Sequence, residues 1–183
     1  TATNVVDATI TVGDRPRGIA FDSANNRMYV TNFGDDNVSV INTATHVVDA
    51  TITVGVGPIY TAFDSTNNRM YVVNYNDDNV SVIDTSDNSV IDANGPDPGT
   101  AISVGDGPRG IAFDSTNNRM YVTNYKDDNV SVINTATNVV DATITVGDRP
   151  RGGIAFDSTN NRMYVANYGD DNVSVINTAT NVV

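Results

Sequence analysis

A unit of about forty residues occurs four times along this chain of 183 residues. The copies begin at Pro16, Pro58, Pro108 and Pro150, and the spacings between these prolines are 42, 50 and 42 residues. A period in the low forties, with strand-like content and turn signals inside each unit, is typical of β-propeller blades. Units of this size cannot bury their apolar faces alone, so neighbouring units must pack against one another.

The composition predicts an all-β protein. The chain has no Leu, Glu, Gln, Trp or Cys, and Lys126 is its single lysine. The missing types include most of the strong helix formers. Val, Ile, Thr and Tyr take their place, and these side chains suit a pleated surface.

Each copy contains four strand signals, which the third copy illustrates. Apolar or alternating segments at 110–114, 119–124, 130–133 and 139–146 are separated by turns rich in Asn, Asp, Ser and Thr. The last segment alternates apolar and polar residues cleanly, which indicates a half-exposed outer strand, whereas the denser runs before it fit a sandwiched interior. We therefore expect four four-stranded antiparallel blades.

The repeats divide the chain into a single propeller domain or half-propeller. The second copy carries eight extra residues within 93–101, where Pro and Gly are tolerable only at a sheet edge, and the fourth carries one extra glycine at Gly152 and Gly153, which predicts a bulge. The expected segments are a closing outer strand at 1–13, blade 1 at 14–55, blade 2 at 56–105, blade 3 at 106–147, and blade 4 at 148–183, which lacks a complete outer strand of its own.

A recurring tetrapeptide connects the chain to a known family. It reads Tyr-Val-Thr-Asn at 29–32 and 121–124, with variants at 71–74 and 164–167, and it lies between GIAFDS-like and DNVSVINT-like segments. In these motifs the chain resembles the YVTN β-propeller repeat family over nearly its whole length. The resemblance implies a propeller, commonly of seven blades, and a place among archaeal surface-layer and other cell-surface proteins. It implies no shared catalytic residues.

The two ends predict how a ring could close. Residues 1–12 read as an outer strand without a blade, and residues 178–183 begin an outer strand that is not completed. The leading strand could complete the last blade and so remove an exposed edge. Closure within one chain would give a four-bladed ring, and closure between two chains would give an eight-bladed homodimer. An excised piece of a longer array is the remaining alternative.

The net charge limits the kinds of molecule that the chain is expected to bind. The formal net charge is -12, and such a surface repels phosphate backbones and anionic lipids. We therefore expect no nucleic-acid binding and no membrane insertion. The expected location is extracellular or at the cell surface, although the chain does not open with a signal-peptide pattern. The expected partners are a second copy, neighbouring repeats of a longer array, or a protein or glycan.

Catalysis has little support in the residues. The chain has no Cys or Glu, and its one histidine, His46, stands where the other copies carry Asn88, Asn138 and Asn181. A fourfold repeated feature is also an unusual active site, since active sites are local departures from symmetry. We expect the chain to be no enzyme, to hold no cofactor, and to act as a structural or interaction scaffold. A propeller that binds a glycan, a peptide or a cation is the alternative.

Charged residues repeat near one end of the predicted blades. Paired acids precede an asparagine in the turn between the second and third strands, where Ca²⁺ is an alternative ligand. Three arginines enter the innermost strand on the same side; we expect them to pair with the acidic turns, with an anion site as the alternative. The candidate ligand-binding residues are Arg17, Arg109, Arg151, Asp35, Asp36, Asp77, Asp78, Asp127, Asp128, Asp170 and Asp171.

The same turns contain Asn-Val-Ser triplets. Each matches the acceptor pattern for N-glycosylation, and hairpin asparagines followed by a strand also produce this triplet without any selection for a sugar. The candidate glycosylation sites are Asn37, Asn79, Asn129 and Asn172.

Overall fold

A computed structural model describes residues 5–91 and 101–183. Within those ranges the chain forms strands and no helix, so the all-β prediction is confirmed. The strands are β1 (Pro16–Asp22), β2 (Arg27–Asn32), β3 (Asn37–Asn42), β4 (Val47–Thr53), β5 (Pro58–Asp64), β6 (Arg69–Asn74), β7 (Asn79–Asp84), β8 (Val90–Ile91), β9 (Ile102–Ser103), β10 (Pro108–Asp114), β11 (Arg119–Asn124), β12 (Asn129–Asn134), β13 (Val139–Thr145), β14 (Pro150–Asp157), β15 (Arg162–Asn167) and β16 (Asn172–Asn177).

The strands form four separate antiparallel sheets, which we call blades 1 to 4. Blade 1 has the order β1-β2-β3-β4, blade 3 the order β10-β11-β12-β13, and blade 4 the order β14-β15-β16. In blade 2 the outer strand is split, because β8 and β9 both pair with β7. The predicted insertion at 93–101 falls in this gap and lies, except for its last residue, outside the described residues.

Asparagine and aspartate make the tight hairpins. One residue in each of these turns has a positive φ, between 52° and 64°, where Asn and Asp are tolerated better than other residues with a side chain. His46 adopts the same conformation (φ 59°) at the position where its counterparts are asparagines. The turn chemistry is thus what keeps the copies in a common register.

The core lies between successive blades. Tyr29 and Met28 are neighbours in β2 and so point to opposite sides of blade 1. We call the side that carries Tyr29 or its counterparts the tyrosine face, and the other the methionine face. At all three junctions the tyrosine face of one blade packs on the methionine face of the next, as Tyr29, Val38 and Val40 pack on Met70, Val72 and Ile83, burying both.

Two apolar faces have no neighbouring blade among residues 5–91 and 101–183. Tyr164 and Val173 on the tyrosine face of blade 4 are 40% and 55% exposed, whereas the equivalent Tyr121 and Val130 are fully buried. On the methionine face of blade 1, Ile19 is 61% exposed. Within the described residues, the four blades therefore form an open array with one uncovered face at each end.

Within the described residues the predicted closing strand does not complete blade 4. Residues 5–12 form no strand, and the one further pairing of β16 among the described residues is a bridge from Asn177 to Val182. The reason is that Gly13 and Asp14 are fixed to blade 1: the amide of Asp14 donates to Asp35 Oδ2 at 2.7 Å, and Gly13 lies against Asn32. Blade 4 is three blades away. The described residues also contain no helix long and apolar enough to cross a membrane.

Candidate functional site at the blade axis

The innermost strands β1, β5, β10 and β14 converge around a cavity of about 480 Å³ that is partly open to solvent. Three guanidinium groups and one phenol supply its polar lining. The lining residues are Arg17, Ile59, Tyr60, Arg109, Arg151, Gly152 and Gly153. The structure thus brings the three predicted arginines together at one place.

A bulge at the start of each inner strand presents these side chains. In blade 1 Pro16 pairs with Asn32 while Ile19 pairs with Val30, so one residue of β1 is extra. Blade 4 has two extra residues between Pro150 and Ile154, which confirms the predicted irregularity at its paired glycines. Gly152 adopts φ +60°, a conformation that a side chain would strain.

The arginines stack on aromatic rings rather than pairing with acids. Arg17 lies 4.6 Å from the ring centre of Phe33, and Arg109 lies 4.7 Å from those of both Tyr75 and Tyr125. Arg151 lies 5.2 Å from the ring centre of Tyr168. Such stacking fixes the position of a guanidinium and leaves its charge uncompensated.

The expectation that these arginines pair with the acidic turns is therefore wrong. Among the described residues, no carboxylate oxygen lies within 4.0 Å of Arg17, Arg109 or Arg151, and the buried Nε of Arg109 has no hydrogen-bond partner there. The acids at this end bind other groups. Lys126 Nζ lies 2.8 Å from Asp106 Oδ1, and Nε of the exposed Arg15 lies 3.6 Å from Oδ2 of its neighbour Asp14.

The first acid of each turn holds the loop that leads into its own blade. Asp35 Oδ2 accepts the amide of Asp14 at 2.7 Å, and Asp77 Oδ2 accepts the amide of Val56 at the same distance. The corresponding bonds in blades 3 and 4 join Asp106 N to Asp127 and Asp148 N to Asp170. These carboxylates are thus occupied by backbone donors, which explains why they do not reach the arginines.

The second acid of each turn joins its blade to the next one. Asp36 Oδ1 accepts the amide of Gly57 at 2.8 Å, and Asp78 Oδ1 accepts that of Gly107 at 2.9 Å. Asp128 Oδ1 accepts the amide of Arg149 at 2.8 Å. None of the predicted acidic ligands lines the cavity, and within the described ranges no three His, Cys, Asp or Glu side chains are grouped to hold a metal ion.

The candidate glycosylation asparagines take part in a repeated hydrogen-bond pattern. Asn37 Oδ1 accepts from Asn32 Nδ2 at 2.7 Å, and the same amide donates to Ser39 Oγ at 2.9 Å. Asn79, Asn129 and Asn172 accept the equivalent bonds in the other blades. Asn172 is exposed while the other three are half-buried. Their modification stays a prediction.

Sequence reasoning missed the aromatic residues of this region. Each stacking ring directly follows the last residue of a second strand, as Phe33 follows Asn32 and Tyr125 follows Asn124, so an aromatic at the same place in every copy was the available signal. In the second copy Ile59 replaces the arginine, and both Ile59 and the following Tyr60 line the same cavity.

A second missed group is a set of tyrosines that bind the next blade. Tyr71 Oη donates to Asn138 Oδ1 at 2.6 Å, and Tyr29 and Tyr121 bond Asn88 and Asn181 in the same way. Burial raises the pKa of Tyr29 to about 12, and it raises the pKa values of Tyr71 and Tyr121 as well. Their phenols stay protonated and serve as donors.

Comparison with known proteins supports the propeller fold. A family model described as "Lactonase, 7-bladed beta-propeller" matches residues 57–138, which is less than half of the chain. A solved chain of Kuenenia stuttgartiensis hydrazine synthase superposes with a TM-score of 0.82 at 23% identity, covering 98% of this chain and 51% of that one. This chain therefore spans about half the length of that structure. Curated proteins gave no match.

These findings correct the prediction about enzyme activity, and they support the fold assignment only at the level of a β-propeller. The prediction that the chain is not an enzyme is contradicted, because the matching family is named for a lactonase, which is a hydrolase. That prediction was based on the absence of Cys and Glu, on the single His46 and on the fourfold repetition of the polar features. A β-propeller is supported; the YVTN assignment and the number of blades stay predictions.

Proposed function

We propose that this chain is a ligand-binding propeller whose axial cavity takes a small anion, a carboxylate or phosphate compound. The single observation that carries this proposal is the convergence of Arg17, Arg109 and Arg151 on one cavity with no carboxylate partner among the described residues. The chain has a net charge of -12, so three arginines without acidic partners make this place positively charged on an otherwise negative protein. Guanidinium groups bind carboxylate and phosphate oxygens in pairs.

The stacked arrangement favours binding over mere surface charge. An arginine on an exposed surface loses side-chain entropy when it binds a ligand. Arg109 lies between two tyrosine rings and is half-buried, so much of that entropy is already lost before a ligand arrives. The buried, unpartnered Nε of Arg109 also gains a partner if an anion oxygen or a water bound to it enters.

Titration of the whole chain with citrate and with inorganic phosphate, followed by calorimetry, tests this proposal. We expect binding that weakens at least about tenfold in Arg109→Gln, which is the loss of about 1.4 kcal/mol. Arg162→Gln is the matched control, because Arg162 bonds only the local carbonyls of Asn160 and Asn161 among the described residues. Absence of binding, or equal weakening by both substitutions, would refute the anion site.

Lactone hydrolysis is a second candidate, favoured by the name of the matching family. The matched residues 57–138 include Tyr60 and Arg109 of the cavity. Hydrolysis adds water across the ring ester and yields a hydroxy acid whose carboxylate suits the arginines. Acid release from a panel of γ- and δ-lactones, measured at constant pH, should fall in Arg109→Gln and not in Arg162→Gln. No acid release from any lactone would remove this candidate.

We also propose that the four blades belong to a closed ring of more than four, which serves as a structural and interaction module. The support is that both end faces are apolar and match the two sides of the internal junctions. Uncovered apolar faces of this kind mark interaction sites. Sedimentation of the pure chain should give a mass above that of one chain at micromolar concentration. A single-chain mass at all concentrations would oppose this assembly.

A further inference from the structure

We infer that the axial cavity prefers a planar aromatic carboxylate, and that Tyr60 of blade 2 and Gly152 of blade 4 determine this preference. In the complex the carboxylate binds the arginines, and the flat ring of the ligand stacks on the ring of Tyr60. The inference rests on the proposed anion site, and it names the class of anion that the site takes.

Two departures from the repeat meet in this cavity. The inner strands of the first and third copies carry Arg-Gly at 17–18 and 109–110, whereas the second copy carries Ile59 and Tyr60 at the same place. The fourth copy has an extra residue, Gly152, in the equivalent strand. Neither change is needed to build a blade, because blades 1 and 3 form without it. Both changes therefore point to a local function of the cavity.

The side chain of Tyr60 reaches from blade 2 to blade 4. Its strand β5 and the strand β14 of Gly152 belong to blades that are separated by blade 3. A Cβ atom on Gly152 would lie 3.3 Å from Tyr60 Oη and 3.4 Å from Tyr60 Cε2, so the missing side chain makes room for the phenol. Gly152 also has φ +60°, which favours glycine. The extra residue of one blade thus supports the aromatic ring that another blade supplies.

The ring of Tyr60 is accessible to a ligand. Tyr60 is 45% exposed although it lines the cavity, whereas Ile59, at the place of the missing arginine, is 4% exposed and packs in the core. Aromatic rings attract one another in stacked and edge-to-face arrangements in addition to the effect of apolar burial. Tyr60 therefore offers a stacking surface at the place where the other copies offer a charge.

The remaining polar lining suits a carboxylate. The three arginines of the cavity have no carboxylate partner among the described residues. In blade 1 the amide of Gly18 donates to Thr31 Oγ1 at 2.8 Å, and blade 3 repeats this bond. Blade 4 has Ala166 at the place of the threonine, so the amide of Gly153 lacks this partner. A phosphate would use the same donors but has no flat ring to stack on Tyr60.

Calorimetric titration with two dicarboxylates that differ in the flatness of their ring tests the inference. The probes are benzene-1,3-dicarboxylate and cis-cyclohexane-1,3-dicarboxylate, which carry the same charge on rings of the same number of carbons. We expect the whole chain to bind the aromatic probe about fivefold more tightly, the effect of one good aromatic contact. Citrate, titrated in parallel, reports on the anion site itself.

Three variants assign the preference to the ring of Tyr60. Tyr60→Leu keeps an apolar side chain without a flat ring, and it should bring the two affinities within about twofold of each other. Tyr60→Phe keeps the ring and should retain the preference. Tyr164→Leu is the matched control, because Tyr164 is 40% exposed and does not line the cavity, so this variant should keep the fivefold ratio.

Deletion of Gly152 gives a second measurement that leaves Tyr60 in place. Blades 1 and 3 form their inner strands without this residue, so the shortened blade 4 should still fold. The ring of Tyr60 loses its support, and the ratio of the two affinities should fall to that of Tyr60→Leu. An unchanged ratio would overturn the role assigned to Gly152.

The outcomes separate this inference from the proposed anion site. Equal binding of the two dicarboxylates by the unsubstituted chain, or an undiminished preference in Tyr60→Leu, would overturn the inference and leave anion binding in place. Binding of citrate without binding of either dicarboxylate would have the same meaning. If none of the three anions binds, the anion site itself is refuted, and the inference with it.

Discussion

At the scale of single residues, tyrosines decide how the blades hold together. Tyr29, Tyr71 and Tyr121 are fully buried, and each donates its phenol to an asparagine of the next blade. A buried donor without a partner would cost about 1 to 3 kcal/mol, so the asparagine at the far side is as important as the ring. The protonated phenol is the form that the folded chain requires.

We predict that the chain loses stability as the pH rises above 10. The pKa of Tyr29 is about 12 in the folded chain against 10 when unfolded, so the folded state binds more protons between these values. The stabilising contribution is complete below pH 10 and declines from there toward pH 12. Urea midpoints at pH 8, 10 and 11 should fall in that order, and Tyr71→Phe should reduce the decline. A midpoint independent of pH up to 12 would contradict this prediction, and Tyr168→Phe, at an exposed ring, is the control.

Residue patterns located the arginines but not their partners. The spacing placed Arg17, Arg109 and Arg151 at one end of the inner strands, and the structure brings them to one cavity. Proximity in the sequence to acidic turns suggested ion pairs. The same carboxylates instead accept hydrogen bonds from backbone amides, such as those of Asp14 and Val56. Nearly every residue has a backbone amide, so the sequence does not indicate which amide a carboxylate will bind.

At the scale of elements, the alternation of polar and apolar residues was a reliable guide. The second strand of the third copy was predicted at 119–124 and is β11, with the same bounds. The inner strand β10 begins at Pro108, two residues earlier than predicted. A proline cannot donate a backbone hydrogen bond, and it is tolerated at a sheet edge next to the bulge between Pro108 and Ile111. Within the described residues the closing strand does not pair with blade 4, and its pairing with a second chain stays a prediction.

The second acid of each turn gives a test at this scale. Asp78 Oδ1 accepts the amide of Gly107, whereas no blade follows that of Asp171 among the described residues. Asp78→Ala should lower the free energy of unfolding by about 1 to 2 kcal/mol more than Asp171→Ala. Both residues have φ 52°, so the strain of an alanine there is common to both variants. Equal losses in urea denaturation would show that this bond does not join the blades.

At the scale of the whole molecule, the blades differ in how much of their surface is covered. In the part of the chain that the structure describes, blades 2 and 3 have neighbours on both sides, while blades 1 and 4 each have one uncovered face. In stacked repeats, stability is close to a sum of unit terms and nearest-neighbour terms. The array should therefore open from its ends.

Hydrogen exchange of the chain at low concentration should show this gradient. We expect the slowest exchange in β6, β7, β11 and β12 and the fastest in β14 to β16, because local opening follows the number of buried apolar contacts. If the chain self-associates, raising its concentration should slow exchange in blades 1 and 4, whose exposed faces would then be covered. Uniform exchange across the four blades would contradict this prediction, and the unfolded chain in urea supplies the intrinsic rates.

The three junctions use the same tyrosine, valine, methionine and isoleucine contacts with the same turn geometry. If a crossover between two gene copies inserts or deletes one whole unit, the new junction between blades therefore has the same contacts as the existing junctions. Such a lineage can lengthen or shorten its array in single genetic events, and the shape of the assembled wheel, rather than the fit of any one unit, selects which lengths persist.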